Sequence, residues 1–205
     1  MNLPNKLTIL RILLVPVFML IIVPIPQWMV DSSILAFINP QLNAINNFIY
    51  NYGNYVAALL FIIASSTDAL DGYIARKTKQ ITNFGKFLDP IADKLLVSAA
   101  LIALVERRDL STWVAVIIIG REFIITGLRL VAASEGVVIA ASSWGKIKTI
   151  TQMIAIISML FKNYPIRWLF NFPFDGVLMF IAVIATIYSA YDYIVKNAHI
   201  INHNA

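Results

Sequence analysis

The chain has 205 residues, 60% of them hydrophobic and 13% charged, with a mean hydropathy of +0.78; a soluble domain runs nearer about 45–50% apolar, so one integral membrane domain is expected. It has no cysteine, which excludes disulfides and thiolate metal sites, and its two histidines, His199 and His203, make a zinc site a poor reading. With this hydropathy the net charge of +5 points to an anionic membrane surface and anionic substrates rather than to nucleic acid.

Residues 1–11, M-N-L-P-N-K-L-T-I-L-R, lead into the first apolar run. Pro4 and Asn5 read as a helix start. Lys6 and Arg11 belong near lipid headgroups, so a short interfacial helix is expected to feed the first span. A cleaved signal peptide is the alternative, but Leu13–Val30 is long for one and no small-residue cleavage pattern follows. Simple helix capping is one of two readings of Asn5 and Thr8, the other being a place in a binding site.

Spans need about 20 apolar residues. They are expected near 10–30, 53–75, 88–106, 111–133, 147–163 and 175–196. The fold class is therefore all-α: a single polytopic membrane domain over residues 1–205, with six transmembrane helices and a short N-terminal interfacial helix. The 31–51 connector is polar, with Asn39, Pro40, Asn43, Asn46 and Asn47, and has room for an interfacial helix. Trp28, Trp113 and Trp168 fall near span ends, as an aromatic belt requires.

Between the second and third spans lies D-A-L-D-G-Y-I-A-R, an eight-residue spacer, then G-K-F-L-D-P-I-A-D. A helix advances about 100° per residue, which puts Asp68, Asp71, Gly72, Ala75 and Arg76 within an arc of roughly 140°. On the next helix Gly85, Asp89 and Asp93 follow at i, i+4 and i+8. Two such faces packed together gather four negative charges, which repel unless cations join them. Oxygen ligands of this kind suit Mg²⁺ or Mn²⁺, held through carboxylates and substrate phosphates. Glycine costs about 1 kcal/mol in a helix interior, so Gly72 and Gly85 on the acidic faces suggest close approach of a ligand. Arg76 offers a planar fork to a phosphate. Salt bridges to Arg76, Lys77, Lys79, Lys86 and Lys94 explain the charges but not their spacing or the glycines.

A second charged group follows. Arg121 and Glu122 lie inside an apolar run, where charges are costly and face an interior cavity. Arg129 is about 80° from Arg121 on a helix. Lys146 and Lys148, in S-S-W-G-K-I-K-T, enter the next span. Together the four cations read as a pocket for a phosphate monoester, with Glu122 holding an arginine. The plainer reading is a positive-inside anchor with an Arg121–Glu122 ion pair. Tyr188, Tyr191, Asp192 and Tyr193 read as interfacial.

Of the 16 basic residues, 12 fall at one set of span ends and four (Arg107, Arg108, Lys162 and Arg167) at the other. That asymmetry puts both termini and the Asp68–Asp93 stretch on the cytoplasmic side.

Asp68-x2-Asp71-Gly72-x2-Ala75-Arg76-x8-Gly85-x3-Asp89-x3-Asp93 resembles the signature of the CDP-alcohol phosphotransferase family at all eight fixed positions. These enzymes displace CMP from a CDP-linked lipid or alcohol with the hydroxyl of a second substrate. The resemblance implies two divalent metal ions held by Asp68, Asp71, Asp89 and Asp93, with Asp93 also the general base. It implies a CDP-diacylglycerol site of Asn5, Thr8, Gly72, Ala75, Arg76, Thr82 and Gly85, and a homodimer. P-N-K-L-T-x2-R, G-R-E-x5-L-R and W-G-K-x-K-T resemble the bacterial branch that uses sn-glycerol 3-phosphate as acceptor. The implied acceptor site is Arg121, Arg129, Lys146 and Lys148, in a bacterial plasma membrane.

Serine, inositol phosphate and phosphatidylglycerol are alternative acceptors on the same fold, and the basic pocket argues against serine. A divalent-cation transporter is the reading from another class. It leaves Gly72 and Arg76 without a task and puts the aspartates at span ends.

Overall fold

The computed structural model describes residues 3–32, 37–78, 83–134, 136, 139, 142–164 and 166–197, with the side chains of 3–4, 68–78, 83–87, 89–90, 134 and 167 outside the description. Among the described residues every regular element is helical. The chain forms two compact units, Met1–Asp109 and Leu110–Ala205.

The first unit is built on α1 (Leu3–Ile22), α4 (Asn54–Thr78) and α5 (Asn83–Glu106). α1 packs against both α4 and α5, and α4 touches α5. Buried residues on α1 are Asn5, Thr8, Arg11, Phe18 and Ile22, a single stripe at helical spacing. Leu10, Leu13, Val17 and Leu20 are exposed on other faces and leave an apolar surface for lipid. On α4 the buried stripe is Asn54, Ala57, Ala58, Phe61 and Ala64. On α5 it is Ala92, Leu96, Ala99, Ala100, Ala103 and Leu104. Small residues let helix backbones approach closely where lipid supplies no hydrophobic drive. Phe18 and Phe61 fill the remaining space with ring centroids 6.4 Å apart.

α1 corrects two expectations. It runs unbroken from Leu3, so residues 3–11 are its first turns rather than a separate helix. It also stops at Ile22 rather than near 30. Pro24 and Pro26 lack the amide hydrogen and bias the residue before them away from helix. The segment beyond is pinned by Asn46, whose Oδ1 accepts from Ile25 N at 2.8 Å and whose Nδ2 donates to Ile25 O at 3.0 Å. Arg107 Nη1 donates to Ile22 O at 3.0 Å, satisfying an end carbonyl of α1.

The 31–51 connector is more helical than its polarity suggests. After α2 (Gln27–Val30), α3 (Asn39–Phe48) runs through a π-helical turn, Ile49–Gly53, directly into α4. The turn sits where the backbones of α1 and α4 meet: a Cβ on Gly53 would lie 2.5 Å from Ile21 O. Gly53→Ala is therefore expected to destabilise the protein by about 1–3 kcal/mol through overpacking. Gly176→Ala, where nothing lies within 4 Å of the added carbon, is the control. Thermal unfolding in detergent reads both, and equal midpoints would refute the contact.

The second unit holds α6 (Thr112–Ser134), α7 (Ser143–Leu160), α8 (Ile166–Phe170) and α9 (Phe174–Lys196). α9 packs against α7 and α6. α7 starts at a Ser142 cap whose Oγ accepts from Gly145 N at 3.1 Å. Its buried face is Lys148, Gln152, Ala155, Ile156 and Met159, and that of α9 is Met179, Ala182, Ala185, Thr186, Ser189 and Tyr193. Each face is apolar at one end and polar at the other.

Five of the six expected spans coincide with α4, α5, α6, α7 and α9 to within a few residues. Among the described residues, three helical stretches are long and apolar enough to cross a membrane: Asn5–Ile22, Asn39–Thr67 and Phe174–Lys196. α6 carries Arg121, Glu122 and Arg129, and α7 carries Lys146 and Lys148 in its first turns, which lowers their hydropathy. Trp28, Trp113 and Trp168 are all exposed.

Candidate active site

In the first unit the acidic signature occupies the last turns of α4 and the first turns of α5. Both segments are helical through the aspartates, so the register read from the sequence holds for the backbone: Asp68 and Asp71 one turn apart on α4, Asp89 and Asp93 one turn apart on α5. The side chains of Asp68, Asp71, Gly72, Ala75, Arg76, Gly85 and Asp89 lie outside the described residues, as does Thr82 altogether. Asp93 is half-buried and engaged in an interaction, as is Lys94 beside it. Among the described residues no three metal-ligating side chains converge, but that set contains only one of the four aspartates. Four carboxylates with no sulfur or imidazole form a donor set of the kind hard divalent cations prefer, so the residues present fit such ions.

Asn5, Thr8 and Arg11 occupy the stripe of α1 that faces into the unit, 7%, 1% and 1% exposed. Thr8 lies in the second turn and Asn5 inside the first, so Thr8 caps nothing. Each has a polar or electrostatic partner. Burying three polar side chains on one helix is costly unless they are satisfied, so this stripe is more than the edge of an apolar span.

In the second unit the expected basic group is partly assembled. Arg121 Nη1 donates to Glu122 Oε1 at 3.1 Å, and Lys148 Nζ donates to the same oxygen. One carboxylate thus holds a cation from α6 and one from α7, the holding role expected of Glu122. Lys148 is 3% exposed. Arg129 and Lys146 are exposed. The four cations therefore range from buried Lys148 through half-buried Arg121 to exposed Arg129 and Lys146.

Sequence reasoning missed Ser189. It is fully buried on α9, and its Oγ accepts from Arg121 Nη2 at 2.6 Å. Tyr193, read as interfacial, is instead buried, within electrostatic range of Arg129 and Arg121. Its hydroxyl, Arg121 Nε and Gln152 Oε1 are buried polar atoms without a hydrogen-bond partner among the described residues. Thr186, Ser189 and Tyr193 recur at helical spacing within an apolar run, and that periodicity was the available signal. Tyr188 is exposed and meets Trp144 edge-on at 4.5 Å, while Asp192 pairs with Lys196 at 2.6 Å.

The sequence profile of the CDP-alcohol phosphatidyltransferases matches residues 1–188. The chain belongs to that family. The matched range takes in α1, the acidic signature, α6 and α7, and it ends one residue before Ser189. Among family members, a protein of Bacillus subtilis (strain 168) is 46% identical over 200 residues, 96% of this chain and 95% of its own length. One from Haemophilus influenzae is 38% identical over 201 residues, covering 94% and 91% of the two chains. One from Rickettsia bellii is 36% identical over 192 residues, covering 94% and 93%. All three carry the name CDP-diacylglycerol–glycerol-3-phosphate 3-phosphatidyltransferase.

Proposed function

We propose that the chain transfers the phosphatidyl group of CDP-diacylglycerol to sn-glycerol 3-phosphate, giving phosphatidylglycerophosphate and CMP. The observation that carries this reading is the eight-position signature, unbroken on two helices that touch each other and α1. The common name of the full-length relatives supports the choice of acceptor.

In this reaction a glycerol hydroxyl oxygen attacks the phosphorus of the phosphatidyl group. The bond from that phosphorus to the CMP oxygen breaks, and CMP leaves with the bonding pair. Asp93 takes the hydroxyl proton as general base. Asp68, Asp71, Asp89 and Asp93 would hold two divalent ions, Mg²⁺ or Mn²⁺, which when bound supply positive charge to the diphosphate and the departing CMP. Asn5, Thr8, Gly72, Ala75, Arg76, Thr82 and Gly85 bind the CDP-lipid. Arg121, Arg129, Lys146 and Lys148 bind the acceptor phosphate, for which guanidinium forks and lysine charges are suited.

The same reading places six helices, α1, α4, α5, α6, α7 and α9, across a bacterial plasma membrane. The first turns of α1 lie in the headgroup layer, and both ends of the chain and the acidic signature face the cytoplasm. The basic-residue asymmetry supports that orientation. The protein acts as a homodimer.

Release of CMP from CDP-diacylglycerol should be fast with sn-glycerol 3-phosphate and slow with glycerol, serine or inositol phosphate. Arg129→Ala and Lys148→Ala should each raise KM for glycerol 3-phosphate roughly ten- to a hundredfold, the loss of a charged hydrogen bond. KM for CDP-diacylglycerol should hardly move. A preference for another acceptor in the panel would overturn the assignment.

A further inference from the structure

Three helices meet at Arg121. It stands on α6, its Nη1 bound to Glu122 beside it, while Glu122 also takes Lys148 of α7. The far side of the guanidinium is fixed by α9, where the fully buried Ser189 Oγ accepts from Nη2 at 2.6 Å. Glu122 alone leaves the guanidinium free to turn about its one anchored edge. Ser189 anchors the opposite edge from a different helix, which fixes the plane of the fork. Directed recognition of a phosphate by arginine depends on that plane.

The surroundings hold Ser189 in place. A Cβ on Gly145 would lie 3.9 Å from Ser189 Oγ, so the first turn of α7 abuts the hydroxyl with only a glycine between. Gly145 is itself held by the Ser142 cap. The bond is short, partly buried and charge-assisted, the kind in which losing one partner is costly. Replacing the serine would remove the partner of Nη2, beside an Nε that already has none among the described residues.

We infer that Ser189 is a positioning residue for the acceptor: it orients the Arg121 guanidinium and thereby sets affinity for the acceptor's phosphate, without touching substrate. This rests on the proposed role of Arg121 in binding glycerol 3-phosphate.

The test is a double-mutant cycle on the full-length protein in lipid nanodiscs, with both KM values and kcat measured. Ser189→Ala should raise KM for glycerol 3-phosphate roughly tenfold, with kcat and KM for CDP-diacylglycerol within about twofold. Ser189→Thr, which keeps the hydroxyl, should recover most of the loss. In an Arg121→Ala background, Ser189→Ala should have no further effect on glycerol 3-phosphate, because the two residues act as one unit. Transfer to uncharged glycerol should be the same with and without the Ser189 hydroxyl. Equal effects on both substrates, a fall in kcat alone, or additive losses in the double variant would each overturn the inference and mark Ser189 as a packing residue. If the wild type does not prefer glycerol 3-phosphate to glycerol, the functional reading fails. If it does and Ser189→Ala is silent, only the positioning role fails.

Discussion

Asp93→Asn is expected to lower kcat by about 10²–10⁴-fold, the usual contribution of a general base. Amide nitrogen cannot take the proton released when the glycerol oxygen attacks phosphorus. The same change removes one carboxylate from the proposed metal-binding set, so the observed loss should sit towards the upper end. The fold should not confuse the result. Asp93 is half-buried, and Ala92, Leu96 and Ala100 around it keep α5 seated in the first unit. CMP release at saturating CDP-diacylglycerol, acceptor and metal is the measurement. Retention of most of the wild-type rate would move the base role to another group or to solvent. Asp93→Glu keeps the charge but displaces it by a methylene and should fall between the two.

Removal of divalent metal should have a comparably large effect. In the proposed site the four aspartates would repel one another and the CDP diphosphate, a cost that bound cations would offset. EDTA should abolish turnover, and Mg²⁺ or Mn²⁺ should restore it. Asp68→Asn and Asp89→Asn should each reduce activity to background even at high metal. A second readout is independent of catalysis. Metal that binds the folded protein raises its stability by about 2.7 kcal/mol at a concentration of 100 Kd. The wild type should therefore melt higher with Mg²⁺, and Asp68→Asn should lose most of that gain. Full activity in a chelated sample would end the metal account.

The helices were legible because their period and breakers act locally. The limits of α4, α5, α6, α7 and α9 follow from apolar runs and polar punctuation. α1 was misjudged at its end because Pro24 and Pro26 outweigh the hydropathy that continues through Met29 and Val30. The 31–51 connector was read as having room for an interfacial helix, and α3 lies there. What the sequence did not show is that Asn46 clamps Ile25, a contact spanning 21 residues that no local rule contains. The acidic signature was legible because function fixes its spacing. Ser189 showed only as one of three polar residues at helical spacing, with Thr186 and Tyr193; its role stays hidden until its partner, 68 residues earlier, is known.

That separation bears on how the protein is made. Chains leave the ribosome at about 5–20 residues per second, so on the order of several seconds pass between synthesis of Arg121 and of Ser189. A central arginine costs roughly 2.5–3.5 kcal/mol on entering the bilayer. During that interval Glu122 beside it offsets its charge, and the Ser189 hydroxyl is not yet there to accept from it. In the proposed six-helix arrangement α6 would thus be a weak inserter, held more firmly in the bilayer once α9 arrives. The second unit should then integrate as one hairpin-like group rather than helix by helix. Truncation before α9 should leave α6 prone to slip back into water, even though its own sequence is unchanged.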